Sequence, residues 1–180
     1  MDIISHGLYG GIAFGRKNKK MFWWSFFFGV MPDLLVFGPF FVQRIFSAIF
    51  NGTSPFAFGR PESMTIPNYV YQGYDITHSI VVFLVVFGLV WLFMKKPPLV
   101  ILGWPLHILV DLFTHTPEFF PTPIFWPISG AHFSHGISWG TPFIFIPNVI
   151  LLVVLYTYFL LIRPRQRKGI VWDESNEVKK

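Results

Sequence analysis

One run of this sequence is long enough and apolar enough to cross a bilayer by itself. Residues 142–162 are 21 consecutive positions without a charged side chain, and the basic segment 163–168 follows directly. At 1.5 Å per helical residue such a run spans about 30 Å, the thickness of the hydrocarbon layer. Because basic residues are retained in the cytoplasm, we expect the C-terminal end of this helix to lie inside the cell.

The composition of the chain excludes the common soluble classes. Apolar residues make up 53% of the 180 positions and charged residues only 13%, whereas a soluble domain carries about 25% charge. So few charges cannot cover the surface of a water-soluble enzyme, and the apolar content excludes a disordered chain. The sequence has no Cys, which excludes a disulfide framework and a thiolate metal site.

The basic residues are concentrated next to the apolar runs. Clusters at residues 16–20, 95–96 and 163–168 each adjoin such a run. This is the pattern of cytoplasmic loops and not that of the exposed basic stripe of a nucleic-acid-binding protein. The sequence therefore predicts a protein of a bacterial or archaeal cytoplasmic membrane that binds no nucleic acid.

Further membrane segments are predicted by the same reasoning. They cover residues 3–15, 22–50 with a break at Met31-Pro32-Asp33, 79–94, and 97–116. Segments 51–76 and 117–141 are predicted to be loops on the non-cytoplasmic side. We expect an all-α, polytopic membrane helical bundle of about four to six helices, some short or broken. It would form one domain over residues 1–168, followed by a polar cytoplasmic tail over 169–180.

Six ionisable residues lie within or at the ends of the apolar runs. They are His6, Asp33, His78, His107, Asp111 and His115. Ionisable groups in membrane segments are costly, which makes them candidates for function. The last three have i, i+4, i+8 spacing and share one helix face, where two of them could chelate a metal ion. Counted from the basic clusters, all six fall roughly 15–29 Å into the bilayer at 1.5 Å per residue, so we expect the site toward the outer face.

Histidine and carboxylate together predict a metal centre. Nitrogen and oxygen ligands without thiolate favour Zn²⁺, with Mn²⁺ or Fe²⁺ as alternatives. Six candidates exceed the ligands of one Zn²⁺, so one ion or two ions bridged by a carboxylate can be accommodated. A two-metal site suits phosphoester hydrolysis. We therefore predict a membrane-bound hydrolase of a lipid phosphoester, in which Asp111 takes part in catalysis and His115 or His135 protonates the leaving group.

The order of the motifs resembles one membrane family. The order is His6, Pro32-Asp33-Leu34, Thr77-His78-Ser79, and His107-x-x-x-Asp111-x-x-Thr114-His115. Over about residues 1–116 it resembles the YdjM-type inner-membrane proteins, which are grouped as metal-dependent hydrolases and are similar in turn to zinc-dependent phospholipase C. The resemblance implies an all-α metal site with phospholipid as substrate and five ligands, His6, Asp33, His78, His107 and Asp111.

The chain departs from the phospholipase pattern near its end. Those enzymes have a later His and a Glu on a further helix as ligands, and the last apolar run here has neither. Their place could be taken by His115, Glu118, His132 or His135.

Two other functions fit the same residues. A metal-binding membrane transporter would use them transiently, although the sequence has no inverted repeat. A non-catalytic membrane protein would use them only as hydrogen-bonded pairs between helices. The close spacing of Gly7, Gly10 and Gly11 predicts tight helix packing rather than phosphate binding.

Overall fold

The structure, a computed structural model, describes residues 1–52, 66–133 and 135–162. Within these ranges the chain forms six α-helices and no named strand, which confirms the all-α prediction. A 3₁₀ turn over Leu99–Leu102 leads into the fifth helix, and a π-helical turn over Tyr158–Ile162 extends the sixth. The helices are α1 (Ile3–Phe14), α2 (Lys19–Asn51), α3 (Asn68–Thr77), α4 (Ile80–Met94), α5 (Gly103–Thr114) and α6 (Pro142–Thr157).

Within the described ranges, two helices are long and apolar enough to cross a membrane, Lys19–Asn51 and Pro142–Leu160. Helices α3 and α4 meet at a 58° bend and could form a third, broken span. Helix α1 and the segment Leu99–Thr114 are apolar but shorter. The predicted helix after residue 142 is confirmed, and the predicted tail over 169–180 lies outside the described residues.

The predicted break in the second apolar run is wrong. Helix α2 continues through both Pro32 and Pro39. A proline removes one ladder hydrogen bond and disturbs the turn before it, but membrane helices tolerate this where neighbouring helices satisfy the freed groups. Pro32 leaves the carbonyl oxygen of Phe28 without its helical partner, and the next carbonyl oxygen, that of Gly29, lies 2.7 Å from Nδ1 of His107 on α5.

The predicted loop over 51–76 contains the helix α3. Its polar composition hides an apolar face, because Val70 and Tyr74 are spaced i, i+4 and are both buried. These two side chains pack with Val36 and Phe40 of α2. The helix is thus stabilised by a tertiary contact that local composition does not reveal.

Helices α1, α2 and α5 approach one another most closely at glycines. A Cβ at Gly29 would lie 2.5 Å from the carbonyl oxygen of His6, and one at Gly103 would lie 2.5 Å from that of Ser25. A Cβ at Gly10 would lie 2.6 Å from the same Ser25 oxygen. Small residues let membrane helices pack backbone against backbone, as the glycine spacing in α1 predicts.

Candidate metal centre

The structure brings the six predicted ionisable residues together in one buried cluster. Each of them exposes at most 6% of its surface. They come from four places in the fold, namely α1, α2, the break between α3 and α4, and α5 with the residue that follows it, and they are His6, Asp33, His78, His107, Asp111 and His115. None of these segments contributes more than three of the residues, so the cluster exists only when the helices are packed.

The break between α3 and α4 places His78 in the cluster. Residue His78 ends α3, and Ser79 begins α4 by accepting hydrogen bonds from the backbone N–H groups of Val81 and Val82. A serine in this role satisfies donors that a helix start leaves unpaired. The indole N–H of Trp104 donates to the carbonyl oxygen of Thr77 at 2.6 Å, which ties the break to α5.

One group of four side-chain atoms has, for five of its six pairs, separations close to those in a tetrahedral metal site. We call it the first donor group, and it consists of Nε2 of His78, Nε2 of His107, Oδ1 of Asp33 and Oδ2 of Asp111. The two Nε2 atoms are 3.0 Å apart. His78 lies 3.4 and 3.5 Å from the Asp33 and Asp111 oxygens, and His107 lies 3.7 and 3.2 Å from them. Zinc bonds of 2.0–2.1 Å imply ligand separations of about 3.3 Å, which these distances bracket.

The other oxygen of Asp111 faces a second donor group. We define this group as Oδ1 of Asp111, Nε2 of His6 and Nε2 of His115, with the α-amino nitrogen of Met1 beside them. The Asp111 oxygen lies 2.8 Å from His6 and 3.4 Å from His115. The Met1 nitrogen contacts the same oxygen and lies 3.2 Å from His115 Nε2. Asp111 therefore presents one oxygen to each group.

Three of the histidines have Nδ1 close to a backbone carbonyl. The Nδ1 atom of His107 lies 2.7 Å from Gly29 O, that of His115 lies 2.9 Å from Phe120 O, and that of His78 lies 3.2 Å from Tyr74 O. A carbonyl only accepts, so Nδ1 of His107 carries the proton and its Nε2 is left as a lone pair; Nδ1 of His78 and of His115 also lies 2.9 Å from a hydroxyl oxygen, that of Thr77 and that of Tyr74. Such a hydrogen bond orients the ring of a metal-ligating histidine.

Several buried atoms of the cluster have no hydrogen-bond partner. They are Nδ1 and Nε2 of His6, Oδ1 of Asp33 and Oδ2 of Asp111. The 2.8 Å approach of His6 to Asp111 lacks hydrogen-bond geometry. Buried polar groups without partners are costly, and lone pairs facing carboxylates repel unless a cation lies between them. The residues present thus fit a divalent cation.

Four of the candidate ligands, drawn from both donor groups, also lie close to one another. One ligand atom from each of His6, Asp33, His107 and Asp111 lies within 4.8 Å of the others, and all four residues are buried. His6 stacks on His107 with ring centroids 3.7 Å apart, which brings the two donor groups side by side. The buried cluster could hold a metal ion, as the sequence predicts.

The remaining candidates lie on the surface. Glu118, His132 and His135 are exposed. His135 directly precedes Gly136, where a Cβ would collide with the carbonyl oxygen of His115. The backbone N–H of Ile137 also donates to Phe113 O at 3.0 Å. The loop that carries His135 is therefore fixed to the C-terminal end of α5, next to the second donor group.

Sequence reasoning missed the groups that support the cluster. Tyr74 stacks on His78 with ring centroids 3.7 Å apart, and its hydroxyl lies 2.9 Å from Nδ1 of His115. Its i, i+4 spacing from Val70 was the available signal. The backbone oxygens of Gly29 and Phe120 and the Met1 nitrogen give no such signal, because every residue has a main chain.

The family comparison covers almost the whole chain. A family model described as YdjM inner membrane protein matches residues 1–174. Neither a curated protein nor a solved structure matches the chain.

Proposed function

We propose that this chain, which belongs to the YdjM inner membrane protein family, is a metal-dependent hydrolase that cleaves a phosphoester bond of a phospholipid or related lipid. The membrane location follows from the family and from the apolar helices. The chemistry is supported by one observation above all, the position of Asp111 between two donor groups.

The bridging carboxylate favours a centre for two ions. Oδ2 of Asp111 belongs to the first donor group and Oδ1 to the second. A carboxylate shared in this way would hold two cations a few ångströms apart, the arrangement that suits phosphoryl oxygens in hydrolysis. The two nitrogen and two oxygen donors of the first group favour Zn²⁺ over metals that prefer six oxygen ligands.

A divalent metal bound here would supply Lewis acidity and lower the pKa of a coordinated water to about 7. The protein's own residues would hold and orient the centre. His78, His107 and His115 are fixed by carbonyl contacts at Nδ1, which keeps each Nε2 directed into the cluster. For His115 this orientation supports a ligand role over the transfer of a proton to the leaving group.

His135 is our candidate for protonating the leaving group. It is exposed, and its loop is packed on the backbone of His115. The cluster lies toward the helix ends opposite the basic loops at 16–20 and 95–96. If those loops face the cytoplasm, as positive charge favours, the centre faces the outer leaflet.

A purely structural role for the cluster is disfavoured by its buried atoms that have no hydrogen-bond partner. Hydrogen-bonded pairs between helices need a donor for each acceptor. Here Oδ1 of Asp33, Oδ2 of Asp111 and both ring nitrogens of His6 are buried without a partner.

Metal analysis of the purified protein tests this proposal first. We expect the wild type to retain divalent metal and His107→Gln to lose the ion held by the first donor group, because His107 belongs to that group. His132→Gln is the matched control, an exposed histidine that should leave metal content unchanged. A wild type that binds no metal after incubation with Zn²⁺, Mn²⁺ or Fe²⁺ would overturn the proposal.

Product release then distinguishes an enzyme from a carrier. We expect the metal-loaded wild type to release phosphate, a phosphorylated head group or diacylglycerol from a mixed panel of lipids in detergent micelles. His107→Gln should release none. Metal binding without turnover of any lipid in the panel would contradict the hydrolase and favour metal transport.

A further inference from the structure

A second candidate site lies at the other end of the helices, among the basic residues. A cavity of about 890 Å³ is formed by the end of α1, the turn into α2 and the last turns of the Pro142–Leu160 span, which begins with α6. We call this span the α6 segment. Its lining includes Ile12, Arg16, Lys17, Lys19, Tyr156 and Phe159. None of the candidate metal ligands lines it.

The charge of the cavity is of one sign. Arg16, Lys17 and Lys19 line the cavity. Within the part of the chain that the structure describes, no acidic residue lines it. The guanidinium of Arg16 lies 4.5 Å from the centroid of the Phe159 ring. A cation held over an aromatic face keeps its N–H groups available at the ring edge, so the rim of the cavity is suited to an anion with several oxygens.

The walls of the cavity are apolar and aromatic. Phe22 and Tyr156 meet edge to face with centroids 6.4 Å apart, and Ile12 and Leu160 complete this surface. The Tyr156 hydroxyl donates to the carbonyl oxygen of Leu8 at 3.0 Å, which fixes the ring between α1 and α6. A basic rim above an apolar wall fits an amphiphile and not a small inorganic ion.

The position of the cavity matches the level of lipid headgroups. It lies where α2 begins and the α6 segment ends, and these are the two helices that can cross a membrane. Gly15 follows His6 by nine positions and Lys19 precedes Asp33 by fourteen, so the cavity lies roughly 14–21 Å along the helices from the cluster at 1.5 Å per residue. A lipid bound here would not contact the candidate metal centre.

We propose that this cavity binds the phosphate headgroup of an anionic phospholipid in the leaflet next to the basic loops. The basic residues at its rim contact the phosphate, and the aromatic wall contacts the first part of the acyl chains. Basic pockets between membrane helices are suited to such headgroups. This site is separate from the proposed hydrolase centre and holds whether or not that centre is catalytic.

Native mass spectrometry with defined lipids tests the proposal. Wild-type protein in detergent is mixed with phosphatidylglycerol or phosphatidylcholine, and bound lipid is counted. We expect selective binding of phosphatidylglycerol. The double variant Arg16→Gln/Lys19→Gln should bind it about 25-fold more weakly, because each basic group near an anionic headgroup contributes about fivefold.

The matched control removes the same number of charges elsewhere. Lys20→Gln/Lys96→Gln changes two exposed lysines that do not line the cavity and should bind as the wild type does. Equal losses in the two double variants, no loss in either, or equal binding of phosphatidylcholine would each overturn the proposal. Displacement of the lipid by an equal concentration of glycerol phosphate would instead identify a site for soluble phosphate and would also overturn it. If the first double variant does not fold, Lys17→Gln replaces it, with an expected loss of about fivefold.

Discussion

Helices α5 and α6 are both apolar, but they are stabilised in different ways. Helix α5 carries His107, Asp111 and Thr114 among its buried residues and packs against α1 and α2. Only 11% of the α6 segment is buried, and most of its large apolar side chains are exposed. A helix of 12 residues is too short to span lipid alone, and α5 is instead enclosed by protein.

The difference shows where this chain can retain ionisable groups. On α5 the carboxylate of Asp111 is surrounded by histidines and by two other helices. On α6 the buried polar side chain is Asn148, which is uncharged and is hydrogen-bonded to Tyr9 and Ser5 of α1. Lipid-facing positions tolerate no charge without a partner, so charge and helix enclosure occur together.

The contrast between α5 and α6 depends on the charged residue that α5 retains. The substitution with the largest expected effect is therefore Asp111→Asn, which should abolish metal binding. The amide keeps the shape of the carboxylate but removes the charge shared by both donor groups. We expect complete loss of bound metal, measured by elemental analysis of purified protein. Retention of wild-type metal content would show that Asp111 does not bridge the groups.

Substitutions in one donor group alone should remove about half of the bound metal. Asp33 lies only in the first group, and His115 only in the second. If the centre holds two ions, Asp33→Asn and His115→Gln should each leave one ion, in different sites. Loss of all metal in both variants would indicate a single shared ion.

The enclosure of α5 is tested by a methyl group at Gly103. A Cβ there would lie 2.5 Å from Ser25 O and 3.0 Å from Gly29 N, so Gly103→Ala should destabilise the fold by about 1–3 kcal/mol. The free energy of unfolding can be measured in mixed micelles. Gly88→Ala on α4 is the matched control, since nothing lies within 4 Å of its Cβ, and it should not destabilise.

The attachment of α6 is tested by Asn148→Ala. This change removes the acceptor for Tyr9 at 2.8 Å and the donor to Ser5 Oγ at 2.9 Å. Hydrogen bonds between membrane helices contribute modestly, so we expect a loss of about 1 kcal/mol in unfolding free energy. A loss as large as that of Gly103→Ala would mean that α6 is held as firmly as α5.

The smallest effect is expected on the lipid-facing side of α6. Val153 exposes 60% of its surface, and Val153→Leu should change the unfolding free energy by less than about 0.5 kcal/mol. A larger change, measured in the same micelles, would indicate that this face contacts protein.

The sequence alone was sufficient for the class of the protein and for most of its cluster. The apolar runs and their basic flanks predict a helical membrane protein. The few ionisable residues within those runs predict the six members of the cluster, because a charge in lipid is costly and is found mainly at functional sites. Local rules failed at Pro32 and in α3. In both places the helix also makes a contact with another helix, Gly29 O with His107 of α5 or Val70 with α2, that its own segment does not reveal.

Only the tertiary structure decided how the six residues are divided between the two donor groups. Spacing places His107, Asp111 and His115 on one face, but it does not say that Asp111 directs its two oxygens to different partners. That division depends on the close glycine contacts of α1, α2 and α5 and on the break before α4. Distances of 3.0–3.7 Å between side chains far apart in sequence are set by helix packing, which no single segment encodes.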